Sequence, residues 1–221
     1  MNEIEKLQQI IDESNNIVFF GGAGVSTESG IPDFRGTNGI YNQNYNYPPE
    51  KILSHSFFMR NPEIFYQFLR EKMVFEGASP NACHRKLAEL EEKGKVKAII
   101  TQNIDGLHQK AGSKKVIELH GTIKKFYCTQ CYKEYKLEDV INEVPVPHCT
   151  SCTGVLHPSV VLYEEGLNQQ DIADAINYIM QADTLIIGGT SLVVNPAASL
   201  VRYFRGRHLV IINKTIIHNI G

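Results

Sequence analysis

The 221 residues, 43% hydrophobic and 21% charged, suffice for one sizeable core with a small inserted module. A formal net charge of -2 and a pI of about 6.4 give no general basic field for nucleic acid or anionic membrane, so neither is expected as a partner. The opening Met1-Asn-Glu-Ile-Glu-Lys lacks the pattern of a secretory signal and no apolar run reaches the length of a membrane span, so the expected location is cytoplasmic.

Ile4, Leu7, Ile10 and Ile11 recur at helical spacing, and Ile17 to Phe20 predicts a strand that runs into glycines. With a further helix opening over Ser26 to Ser29, the Gly22-Ala-Gly24 turn stands where a strand hands over to a helix in a dinucleotide-binding unit, a position that suits phosphate. The turn does not meet the GxGxxG pattern, and glycine also serves such turns merely by accepting positive φ.

Asn, Tyr, Pro and Gly dominate Gly36 to Pro49, which reads as a flexible loop. A helix follows over 62–74, with Phe65, Phe68 and Phe75 as an aromatic stripe. Ser79-Pro80 reads as an N-cap and first helical residue, leading through Leu87 and Leu90 to a stop at Lys93-Gly94. Val96 to Thr101 predicts a strand, and Val116 to Leu119 and Ser159 to Leu162 are further apolar runs. Asn168 caps a helix through Met180, followed by a strand from Thr184 to Gly188, a helix from Pro196 to Phe204 and a strand from Leu209 to Asn213. Strands alternating with helices imply an α/β fold with a parallel, doubly wound sheet.

Four of the five cysteines form two tight pairs. Cys128-x2-Cys131, seventeen residues and Cys149-x2-Cys152 match a four-cysteine zinc ribbon. Two such turns supply the tetrahedral thiolate set that zinc prefers, and four sulfur ligands leave no open position, which makes the ion structural. A redox CxxC would need one pair only. Cys83, in a predicted helix with apolar neighbours, reads as packing.

Other motifs gather at predicted strand ends, where open α/β sheets place ligand groups. Gly30-Ile-Pro-Asp-Phe-Arg35 presents a ring and a guanidinium that suit a nucleotide's phosphates. Thr101-Gln-Asn-Ile-Asp105 offers an amide and a carboxylate for a carboxamide and a ribose. Glu118-Leu-His120-Gly121 ends a strand on a histidine, and Gly188-Gly-Thr-Ser191 adds hydroxyls. Taken singly, each also fits a bland reading: a solvated arginine, an Asx-rich turn or a structural histidine.

In combination, Gly22-Ala-Gly-Val-Ser26, Gly30 to Arg35, Thr101 to Asp105, Leu119-His-Gly121, the four cysteines, Gly189-Thr-Ser-Leu192 and Ile212-Asn-Lys214 resemble the sirtuin family across nearly the whole chain. The resemblance implies a Rossmann-like domain (1–36, 80–124 and 155–221), a loop and helical module (37–79) and a zinc-ribbon module (125–154), with NAD and acetyl-lysine entering between them. It implies that Ala23, Gly24 and Arg35 meet the pyrophosphate, that Phe34 guards the nicotinamide side and that Gln102 approaches the nicotinamide ribose. It further implies that Asn103, Ile104 and Asp105 form the nicotinamide pocket and that Gly189, Thr190, Ser191 and Asn213 hold the adenosine end.

The implied activity is NAD-dependent deacetylation of protein lysines, with His120, Asn103 and Asp105 as catalytic residues. In the family's chemistry nicotinamide leaves the ribose, the acetyl oxygen captures that carbon, and a histidine acts as general base. Here that base is His120, the products are lysine and 2′-O-acetyl-ADP-ribose, and NAD is consumed. Val160 to Tyr163 resembles the segment that pairs with substrate by β-augmentation, placing Val161 and Tyr163 against the acyl-lysine of a protein or peptide. ADP-ribosyl transfer, longer-chain deacylation and non-catalytic binding of NAD or ADP-ribose are the alternatives.

Four departures from the family pattern stand out. Gly21 stands where threonine is common. Glu164 replaces a usual glycine before Glu165, with a preference for basic peptides expected. The Tyr-x-x-Arg pair of succinyl-selective members is absent, since Leu69 follows Tyr66 by three and Arg70 is out of phase, so a neutral acyl group is expected. After Asn213-Lys214, where the family usually adds a loop, an edge strand and a final helix, Thr215 to Asn219 reads either as a shortened strand or as sequence left by a truncation, and a true loss would imply weak NAD binding or marginal stability.

Overall fold

The computed structural model describes residues 2–34, 36, 39–42 and 46–217. Among the described residues, eight strands are β1 (Ile17–Gly21), β2 (Val96–Thr101), β3 (Val116–Glu118), β4 (Gly121–Cys128), β5 (Glu134–Lys136), β6 (Leu156–Val160), β7 (Thr184–Gly188) and β8 (His208–Ile212). Five of them form a parallel sheet in the order β3-β2-β1-β7-β8, and a three-stranded antiparallel sheet has the order β5-β4-β6.

The parallel sheet follows from strands with no polar face. All five residues of β1 and of β7 are buried, as a sheet covered on both sides requires. Successive side chains point to opposite faces. Val18, Phe20, Ile100, Leu185 and Ile187 pack on one face with Ala175, Ile179, Leu200 and Val201, while Ile17, Phe19, Ile99 and Ile186 pack on the other with Val25, Leu87 and Leu90. Both faces are therefore covered, as the doubly wound reading requires. The register sets Gly21 against both Thr101 and Gly188. Three carboxyl ends thus finish level, which opens the crevice where such sheets bind ligands.

A third cluster joins the remaining segments. Phe57, Phe58, Phe65, Tyr66, Phe68 and Leu69 share one core with Phe126, Leu137, Val140, Ile141 and Leu156. The antiparallel sheet ties this core to the parallel one, because β4 starts at Gly121, paired with Val160 at the end of β6.

Several boundaries differ from the sequence expectation. The helix after Ser79-Pro80 is Ala82–Glu92 and its cap is Asn81, whose Oδ1 accepts from the Cys83 and His84 amides at 2.9 and 3.4 Å. The Asn81 amide nitrogen also donates to Val25 O and Ser29 Oγ, so a tertiary tie selects the cap over the local Ser-Pro signal. The segment after β1 is a 3₁₀ helix over Ala23–Ser29 that begins directly on the glycine turn. Ala197–Tyr203 is likewise 3₁₀. The helix at Pro62 ends at Lys72, which leaves Phe75 outside the aromatic stripe. Strand β6 runs from Leu156 to Val160 and so begins ahead of the apolar run at Ser159.

Candidate active site

Two glycine turns close on each other at the carboxyl ends of β1 and β7. Gly24 N donates to Gly189 O at 2.8 Å, and Gly22 N donates to Gly188 O at 3.2 Å. A Cβ on Gly24 would lie 2.8 Å from Gly189 Cα, and one on Gly189, at φ 58°, would lie 2.4 Å from Val25 N. Glycine is required here by contact as well as by conformation. The resulting cradle is lined by backbone and by Thr190, and this close backbone approach fits the pyrophosphate of a dinucleotide. Thr190 is buried and its Oγ1 accepts from Gln102 Nε2 at 3.0 Å and from Leu192 N at 3.1 Å, which links β7 to the end of β2.

Ala23 is half-buried in this turn and Ser191 is exposed beside it. Asn213 follows β8, half-buried, with its amide nitrogen on Thr215 O. Phe34 packs edge-on against Tyr41 at 5.4 Å between ring centroids. Phe34 and Ile104 both lean on the core shared by the helical and ribbon segments. Arg35 lies outside the described residues, as do His218 and Asn219.

Beyond β2, Ser26 joins two of the expected site residues. Its hydroxyl donates to Asp105 Oδ2 at 2.6 Å and accepts from Asn103 Nδ2 at 3.2 Å. Asp105 Oδ1 accepts from Leu107 N at 2.8 Å, and Thr101 Oγ1 accepts from Asn103 N at 3.0 Å. The Asp105 carboxylate is thus held from two directions, and Asn103 by its side chain at Ser26 and its backbone at Thr101. The sequence placed Ser26 in the glycine motif and at the start of a helix but gave it no site role, although a hydroxyl following such a turn is itself a signal.

His120 faces Gln102 O through Nδ1 at 3.0 Å. A carbonyl only accepts, so the proton sits on Nδ1 and the Nε2 lone pair is free to take another. Burial holds this imidazole below its ordinary value, with the Gln102 carbonyl opposing, so His120 is neutral near neutral pH. Gly121, at φ 74°, has no room for a side chain, since a Cβ would sit 2.0 Å from Ser159 O.

Val161 N donates to His120 O at 2.9 Å, tying the expected substrate segment to the histidine. Tyr163 is exposed, and its backbone pairs with Leu53 O and His55 N. The Tyr163 hydroxyl meets that of Tyr41 at 2.8 Å. Tyr41 is a second residue that the sequence did not single out. Glu164 takes φ 76°, a conformation that explains a glycine at this position elsewhere. Its carboxylate accepts from Ser56 N and Oγ at 2.8 and 2.9 Å, so it is already engaged by the chain.

The four cysteines converge. Cys128 Sγ lies 3.3 Å from Cys152 Sγ and Cys131 Sγ lies 3.5 Å from Cys149 Sγ, too long for disulfides of about 2.05 Å. All four sulfurs fall within 4.8 Å of one another, and the set fits structural zinc. Tyr135 Oη donates to Cys149 Sγ at 3.1 Å and, ahead of the Ser151 amide, brings that thiol down to about 5, which favours the thiolate a metal needs.

The sequence model of the Sir2 family matches residues 22–196. An NAD-dependent protein deacetylase of Clostridium acetobutylicum is 57% identical, over 97% of this chain and 89% of its own length. One of Staphylococcus aureus strain Mu50 is 46% identical over 96% and 88%. Among solved structures, a Sir2 with p53 peptide and NAD+ is 43% identical with a TM-score of 0.86, covering 97% of this chain and 88% of that one. A Sir2 bound to acetylated peptide is 42% identical with a TM-score of 0.84, covering 97% and 87%. With the glycine cradle, the poised histidine and the cysteine cluster in place, this chain belongs to the Sir2 family.

Proposed function

We propose that the protein removes acetyl groups from protein lysines at the expense of NAD. The observation that carries this reading is His120, neutral, with Nδ1 fixed on Gln102 O and its own carbonyl bonded to the segment offered to substrate. The relatives named NAD-dependent protein deacetylase and the Sir2 structures holding NAD+ or acetylated peptide support it.

Each residue then has a task. The Gly22 to Gly24 turn receives the pyrophosphate through Ala23 and Gly24 together with Arg35, while Gly189, Thr190, Ser191 and Asn213 hold the adenosine end. Asn103, Ile104 and Asp105 receive the carboxamide, the two polar side chains aligned by Ser26, and Phe34 covers that side. NAD supplies the sugar carbon to which the acyl oxygen bonds as nicotinamide departs. His120 Nε2 takes the proton of the ribose hydroxyl that carries the acyl group away. Val161 and Tyr163 flank the acyl-lysine, and the backbone of 160–163 pairs with the peptide.

A neutral acyl group is supported by Tyr66 and Arg70. Tyr66 Oη donates to Leu156 O at 2.5 Å, and Arg70 donates to Ile141 O at 2.9 Å and to Pro145 O at 3.0 Å. Neither is available to pair with an acyl carboxylate. The modular division at 37–79 and 125–154 remains our working division of the chain. A reducing, cytoplasmic setting is supported by four unpaired cysteines at metal-ligand spacing.

The test is mass spectrometry of both products after incubation with an acetyl-lysine peptide and NAD. Loss of one acetyl per peptide, with equimolar nicotinamide and acetyl-ADP-ribose, is the expected result. Transfer of ADP-ribose to the peptide would overturn it.

A further inference from the structure

Next to the substrate segment lies a second group of metal-ligating side chains that shares no ligand with the cysteine cluster. Glu165 Oε1 is 2.8 Å from His55 Nδ1 and 2.9 Å from His157 Nε2. His157 is 2% exposed and boxed by aromatic rings, with Phe58 edge-on at 4.8 Å and Tyr127 stacked at 5.0 Å. His55 is half exposed and opens the group to solvent.

The proton inventory shows what this arrangement lacks. His157 Nδ1 lies 2.5 Å from Pro158 O, and Nε2 faces the Glu165 carboxylate. Both oxygens only accept, whereas a neutral imidazole has one N–H. With that proton on Nδ1, held by the Pro158 carbonyl, Nε2 presents a lone pair to a carboxylate oxygen, and His55 Nδ1 approaches the same oxygen. A cation shared among the three atoms resolves the conflict and engages His55 as well, whereas a second proton on His157 would satisfy only that ring, and metal titration separates the two. Metal-bound histidines characteristically donate their second N–H to a backbone carbonyl, as His157 does here. The nitrogen to oxygen separations also approach the roughly 3.0 Å edge between neighbouring ligands at right angles on bonds of about 2.1 Å.

We propose that His55, His157 and Glu165 form a second metal site, for a borderline divalent transition ion such as nickel, cobalt or zinc, distinct from the four-cysteine centre. Two imidazoles and a carboxylate suit these ions and disfavour calcium or magnesium, which take oxygen ligands. Water enters from the His55 side. Glu165 Oε2 accepts from Leu162 N at 2.7 Å and His55 N donates to Tyr163 O at 3.0 Å. Two of the three ligands therefore hold the backbone of the 162–165 turn, and an ion that fixes them stiffens the edge offered to substrate. That consequence, unlike ion binding itself, rests on the deacetylase reading.

The test is calorimetric titration of Ni2+ into the zinc-loaded, tag-free protein without peptide or NAD, so its result is independent of activity. One Ni2+ per chain beyond the zinc, with a raised Tm, is expected in the wild type. Binding at least about tenfold weaker is expected in both His55→Ala and His157→Gln. Should His157→Gln fail to fold, the half-exposed His55→Ala still decides. Absence of Ni2+ binding to the wild type, or equal binding by His55→Ala, overturns the site.

Discussion

Ser26 shows how a single side chain can govern two others. It bonds Asp105 and Asn103 at once, and removing its hydroxyl frees the Asn103 side chain and leaves Asp105 on Leu107 N alone, loosening both toward the carboxamide they receive under our reading. Ser26→Ala should lower kcat/KM for NAD by about 10- to 100-fold with little change in Tm, since misplacing reacting groups costs rate before it costs fold. Steady-state kinetics with a melting curve checks this, and an unchanged kcat/KM would remove Ser26 from the account. Ser26 escaped sequence reasoning because a serine after a glycine turn has many local uses, and only the fold brings Asp105, 79 positions along the chain, to it.

His108 makes a second prediction at this scale. It is buried beside Phe19 and His84, and neither ring nitrogen has a hydrogen-bond partner among the described residues. Burial, with His84 adding to it, brings it down from 6.5 to about 3. The folded chain thus keeps His108 neutral at pH values where the unfolded chain protonates it. Its contribution is complete above about 6.5 and drains away as pH falls toward 3. Urea midpoints should therefore drop more steeply between pH 7 and pH 5 in the wild type than in His108→Leu. Equal slopes would contradict this.

Among elements, the antiparallel sheet links metal to chemistry. Strand β4 runs from Gly121 to Cys128 and β6 from Leu156 to Val160, paired at both ends. The cysteine cluster thus anchors one end of a ribbon whose other end carries His120 and Val161. Stripping zinc with a strong chelator should lower Tm and abolish activity together, although no cysteine touches the reacting atoms. Retention of full activity by zinc-free protein would show that the ribbon does not position the histidine. The CxxC spacing made this module legible, as short, mostly apolar runs did for β1, β2 and β7. The start of the Ala82–Glu92 helix was less legible, because Asn81 is bound to Val25 O, 56 positions away, whereas Ser79-Pro80 satisfied every local rule for a start. Strand β6 extended beyond its apolar run because its pairing with β4, not its composition, defines it.

Across the molecule, the parallel sheet supplies the nucleotide cradle, and the core shared by 40–74 and 123–162 supplies the walls against which Phe34 and Ile104 rest. The order of motifs along the chain foretold the cradle, the histidine and the metal set. The contact between Tyr41 and Tyr163, which bridges the loop to the substrate segment, was not foretold, since Tyr41 lies in an Asn- and Tyr-rich stretch with no periodicity to assign it a face. The same holds for the engagement of Glu164 by Ser56, which weakens the expected preference for basic peptides and predicts similar rates on acidic and basic acetyl-peptides.

Under the proposed function, these features converge on His120 as a neutral base with a fixed tautomer. The measurement that tests this most directly is kcat/KM for an acetyl-lysine peptide with saturating NAD, as a function of pH, in the wild type and in His120→Ala. The account predicts a wild-type acid limb below pH 6.5, because burial lowers this imidazole, and a loss on the order of 10²- to 10⁴-fold in a folded variant that lacks this limb. A variant within tenfold of the wild type, or one that keeps the same acid limb, would contradict it.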